Sequence, residues 1–85
     1  MDKSMIKVGD MHSHGGPVKS GSPGSLLDGK PIARLGDLVD CPLHGVNEIV
    51  EASSGMDVDG QPAALHGDRT RCGATLIGGD SATVG

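Results

Sequence analysis

Apolar residues in this 85-residue chain fall in short clusters rather than long amphipathic runs. Nowhere do they recur at i, i+3, i+4, i+7 over the length of a helix, so the pattern predicts little helix. Three clusters end in the same dipeptide: Met5-Ile6-Lys7-Val8 before Gly9-Asp10, Ile32-Ala33-Arg34-Leu35 before Gly36-Asp37, and Ala63-Ala64-Leu65-His66 before Gly67-Asp68. Each is followed by a second aliphatic or β-branched segment, Pro17-Val18-Lys19, then Val46 to Val50, then Ala74 to Ile77. A unit therefore reads as a short strand, a Gly-Asp turn, a loop and a strand running back. Glycine permits positive φ at the turn, and Asp accepts hydrogen bonds from nearby backbone amides.

The units are copies of one another. Asp28 to Asp37 and Asp59 to Asp68 are identical at six of ten positions, 31 residues apart. In the same register Ser22 falls on Ser53, Gly24 on Gly55 and Cys41 on Cys72. Asp28-Gly29 and Asp59-Gly60 are hairpin-turn signals, and Pro31 and Pro62 follow them at strand starts, where a missing N–H is tolerated. Three such units around an approximate threefold axis bring their loops together at one end and fold residues 1–85 as one all-β domain. Close approach of chains near the axis suits glycine and alanine better than aromatic rings.

Composition adds pressure for a non-core source of stability. The chain has 15 glycines and no Phe, Trp or Tyr, so it lacks the side chains that usually dominate a small core. Gly and Pro together make 20 of 85 residues, under the roughly 25–30% of low-complexity chains, and the repeat decides for order. The net charge of -4 and the lack of stacking rings argue against nucleic acid. No apolar run approaches the roughly 20 residues of a membrane span, and Met1 to Asp10 carries no apolar signal core. The expectation is a protein made and folded in the cytoplasm, where two cysteines serve as metal ligands or free thiols more often than as a disulfide.

His14, Cys41 and Cys72 each lie four residues after a repeated Asp. Including His12, His44 and His66, all four histidines and both cysteines sit within seven residues of a Gly-Asp. That constellation predicts a structural Zn2+, which takes mixed thiolate and imidazole donors in a tetrahedron. Six candidates exceed four positions. His12 has no matching donor in the other loops and reads as a solvated loop imidazole. Cys41 matches His14 and Cys72 by register, yet its neighbour His44 is an alternative donor. A Cys41–Cys72 disulfide is the competing arrangement. Enzyme activity is not expected: a hydrolytic zinc keeps an open position and a single general base, whereas Asp10, Asp37 and Asp68 repeat as turn residues do. A Cys41-His44 nucleophile pair would lack a substrate pocket.

Pro31-Ile32-Ala33-Arg34 and Pro62-Ala63-Ala64-Leu65 resemble the Pro-Ala-Ala-Arg repeats of the PAAR proteins, and His14-Gly15-Gly16, Cys41-Pro42-Leu43-His44-Gly45, His66-Gly67 and Cys72-Gly73 resemble their loop motifs. The resemblance implies a short cone of β-hairpins with a metal-pinned apex. Its base would cap the trimeric valine-glycine-repeat protein G spike of a type VI secretion system, or a phage-type equivalent, one tip per trimer, while the apex pierces an envelope. It implies zinc ligands His14, His44, His66 and Cys72, with Cys41 spare. The base would dock through the hairpin ends near Asp28-Gly29 and Asp59-Gly60. Delivery would be outward without a signal peptide, as a bare tip ending at Gly85, with no homo-oligomer, no stable membrane insertion and effector cargo as a further partner. Leu65 and Ile32 depart from the motif, Leu65 removing a charge available for partner contact. The alternative function is a free-standing zinc-dependent adaptor that recruits a cargo protein.

Overall fold

The computed structural model describes residues 3–78 and 83–84. Among these the chain is all-β: β1 (Lys3–Ser4), β2 (Leu26–Leu27), β3 (Lys30–Pro31), β4 (Leu38–Cys41), β5 (Gly45–Glu48), β6 (Asp57–Val58), β7 (Gln61–Pro62) and β8 (Thr83–Val84). They pair antiparallel as β1-β8, β2-β3, β4-β5 and β6-β7. The two-residue turns of β2-β3 and β6-β7 place Asp28 and Asp59 at φ 53° and 50° and the following glycines at 78° and 92°. Positive φ at both central residues is what a primed hairpin turn demands, which is why Asp-Gly stands there twice. The β1-β8 pair completes the set, since Lys3 faces Val84 as Lys30 faces Leu27.

Isolated bridges and backbone hydrogen bonds tie these hairpins into a threefold molecule. Ile6 N–H donates to Ala64 O, Ala64 N–H to Ala33 O and Ala33 N–H to Ile6 O, at 3.0, 3.0 and 2.8 Å, a closed cycle of three chain segments. A second cycle follows the same rotation: Val8 N–H to Pro31 O, Leu35 N–H to Pro62 O and His66 N–H to Ser4 O. A third joins the outgoing and returning strands, Asp40 N–H to Pro17 O, Arg71 N–H to Glu48 O and Ser13 N–H to Thr75 O. Each unit thus lends its edges to both neighbours, and the rings leave no open edge where they close.

The core follows the rings. Ile6, Ala33 and Ala64 are fully buried, and Val18, Ile49 and Leu76, their equivalents on the returning strands, are at most 2% exposed. Two alanines occupy a ring in which Ile6 supplies the bulk, so the chains approach closely without aromatic side chains. Beside the base hairpins, Ile32, Ala63 and Val58 form a smaller cluster with Met5 and Leu27 packed on it.

All three Gly-Asp turns are built alike. Gly9, Gly36 and Gly67 take φ of 96°, 89° and 95°, a region that side chains with a Cβ rarely adopt. Asp10, Asp37 and Asp68 accept the amides of Lys7, Arg34 and Leu65 through Oδ2, at 3.0, 2.7 and 2.8 Å. Arg34 stands at the motif position that Leu65 fills in the third unit. Its guanidinium turns inward to Asp37 and to the carbonyls of Val58 and Asp59.

Candidate metal centre

The hairpins that follow the acidic turns carry the donors. From each Asp to the residue whose amide returns to its carbonyl, the hairpins run Asp10 to Val18, Asp37 to Ile49 and Asp68 to Leu76. The second is four residues longer than the others, and its extra length extends the hairpin tip around the turn Pro42-Leu43-His44 between β4 and β5. Threefold placement supplies one donor per unit, His14, Cys41 and Cys72. The longer turn supplies the fourth, His44.

One ligand atom from each of these four residues lies within 4.8 Å of all the others. Cys41 Sγ is 3.4 Å from both His14 Nδ1 and His44 Nδ1, and Cys72 Sγ is 3.6 Å from His14 Nδ1. A zinc tetrahedron with Zn–S of ~2.3 Å and Zn–N of ~2.05 Å has sulfur-to-nitrogen edges of roughly 3.5 Å, so the spacing fits that ion. The set Cys2His2 is a structural-zinc set, and two thiolates balance a divalent charge. Cys41 is buried, His14 and Cys72 half-buried and His44 exposed, so the group sits where the loops meet solvent.

Of the residues expected at this site, His14, His44 and Cys72 come together, and His66 does not. His66 precedes its turn in the register of Val8 and Leu35 rather than following it, which places it in the backbone ring. There its Nδ1 accepts the Gly78 amide at 3.0 Å. Cys41, set aside as spare, stands in the group instead. The repeat register pointed to it, four residues after Asp37.

His12 is also corrected. It is 2% exposed rather than solvated, because like Val39 and Thr70, two residues after the turn Asp, it bridges to the returning strand of a neighbouring unit. Its Nε2 is 2.8 Å from Asp40 O and its Nδ1 accepts the His14 amide at 3.1 Å, which fixes the tautomer with hydrogen on Nε2 and steadies the ligand loop. A Cβ on Gly16 would lie 1.6 Å from Asp40 O and 2.8 Å from His12 Nε2, so only glycine lets the loop close over this bond. Asn47 and Thr70 gave no signal in the sequence. Asn47 Oδ1 accepts the Cys72 amide at 3.1 Å, and Thr70 Oγ1 lies 3.1 Å from Cys72 Sγ. Burial pushes the Cys72 thiol up, but hydrogen bonds from the Thr70 hydroxyl and Ala74 amide, then Cys41 and His14, outweigh it and lower the thiol from 9.0 to about 7. A thiolate at that position is the form that binds metal.

The PAAR motif family model matches residues 8–78, which is most of the chain and every residue of the donor group. The chain belongs to the PAAR-motif family. No curated protein matches it. The PAAR motif marks a spike-tip family of type VI secretion systems, a structural rather than an enzymatic one. In this PAAR chain the motif's Arg34 clamps an acidic turn, and Ala33 and Ala64, both fully buried, are small enough to let the backbone ring close.

Proposed function

We propose that this chain is the non-enzymatic tip of a trimeric spike, the valine-glycine-repeat protein G trimer of a type VI secretion system or its phage-type counterpart. In this reading zinc at His14, Cys41, His44 and Cys72 pins the apex. The closed threefold cycle of backbone hydrogen bonds carries it, because a single chain that repeats itself three times around an axis can present equivalent edges to each subunit of a trimer. Apolar surface for that contact lies on and beside the base hairpins, where Leu26 and Met56 are 61% and 40% exposed.

Zinc bound there would contribute structural cross-linking rather than chemistry. Four protein donors complete a tetrahedron and leave no position for water or substrate. An ion there would join all three units where their loops meet, adding a cross-link to the hydrogen bonds that already hold those loops. The protein would fold in the cytoplasm and travel outward on the spike, with effector cargo as a further passenger.

The test is a pull-down of metal-loaded protein against a trimeric spike, with elemental analysis of the same sample. Capture together with one zinc per chain is expected. Zinc without capture would favour a free-standing adaptor, and capture without zinc would remove the metal from the proposal.

A further inference from the structure

Symmetry sets three acidic turns in equivalent places, and their partners differ. Lys7 Nζ pairs with Asp10 at 3.2 Å. Arg34 Nε and Nη2 reach Asp37 at 3.1 and 3.4 Å, and the Ser20 hydroxyl donates to Asp37 Oδ1 at 3.2 Å. In the third turn Leu65 takes the place of the cation and Glu51 the place of Ser20. Asp68 is nonetheless only 6% exposed. Its Oδ2 accepts the Leu65 and Ser53 amides, both at 2.8 Å, and among the described residues nothing donates to Oδ1. Beside it opens a cleft of about 350 Å³ lined by Glu51, Ala52, Ser53 and Asp68. Among the described residues, a missing internal cation, an added carboxylate and open space therefore coincide at this turn, whereas Asp10 and Asp37 each have a cation of their own unit.

We propose that this cleft is a binding site for an arginine side chain of a partner protein, which supplies to Asp68 what Arg34 supplies to Asp37. A carboxylate this deeply buried favours several fixed donors over a mobile counter-ion. A guanidinium offers them in a planar fork, with reach to Glu51 as well, while its aliphatic stem lies against Ala52. A calcium ion wants six or more oxygen ligands, more than two carboxylates and one serine provide. The inference stands apart from the spike reading and from the metal, since none of the lining residues belongs to the donor group.

The experiment uses the metal-loaded full chain and N-acetyl-arginine amide as the probe, followed by amide NMR. Saturable shifts centred on Ser53 and Asp68 are expected, with N-acetyl-lysine amide and calcium chloride giving weaker ones. Asp68→Asn should weaken the probe about tenfold or more, the loss of a charge-assisted hydrogen bond. Because Asp68 also pins its turn, Leu65→Arg is the decisive partner variant: it fills the cleft from within as Arg34 does, should keep the fold and should abolish probe binding. Absence of saturable shifts in the wild type, equal binding by Leu65→Arg, or tighter binding of calcium than of the arginine probe would each overturn the proposal.

Discussion

The rings and the apex obey the same threefold rotation but use it differently. In the rings the equivalent bonds are backbone to backbone, so Ile6, Ala33 and Ala64 serve one geometry with different side chains. At the apex the bonds depend on side-chain identity, and strict symmetry would supply three donors where a tetrahedron needs four. A four-residue lengthening of one hairpin supplies the fourth through His44. Backbone symmetry can thus be kept by loosely similar sequences, whereas a four-coordinate metal site would require one unit to break it.

The sharpest way to break this comparison is at the apex. Cys41→Ser should lose the metal and, with it, a folding contribution on the order of 10 kcal/mol, leaving a chain without a cooperative thermal transition. Elemental analysis and calorimetry read both; a variant that keeps one zinc and its transition would remove Cys41 from the ligand set. Ala64→Leu attacks a ring instead. Overpacking there should cost about 1–3 kcal/mol, which for a domain this size lowers the melting temperature by roughly 5–20 °C, with metal content unchanged.

Acid should act on the apex first. Folding depresses the Cys72 thiol from 9.0 to about 7, so the stability linked to its thiolate is complete above pH 9 and is lost as pH falls through about 7. Metal uptake requires the thiolate, so affinity should fall about tenfold per pH unit below 7 for each proton that must leave. Competition with a chromophoric chelator between pH 5.5 and 8.5 measures this, and a flat profile would contradict it. The smallest effect belongs to His66→Ala, which removes one hydrogen bond to the Gly78 amide. A cost near 1 kcal/mol and unaltered zinc stoichiometry are expected.

The sequence determined the repeat, and through it much of the fold. Gly-Asp at three turns and Asp-Gly at two hairpins specify local backbone conformations that few other residues adopt, so they are legible without a structure. The all-β class, the threefold relation and the placing of His14, Cys41 and Cys72 as one donor per repeat follow from those markers and their spacing, whereas the choice of His44 beside His14 and Cys72 rested on the family resemblance. Tertiary structure decided what depends on which side of a turn a residue occupies and on which chains close around it. His66 and Cys41 are both donor types near a Gly-Asp, yet one precedes the turn and lies in a backbone ring while the other follows it into the apex. His12 looked like a loop residue because nothing in its immediate sequence shows that the bridge position it shares with Val39 and Thr70 is buried. The inward turn of Arg34 and the burial of Asp68 were likewise invisible, since burial and pairing are set by neighbours distant along the chain.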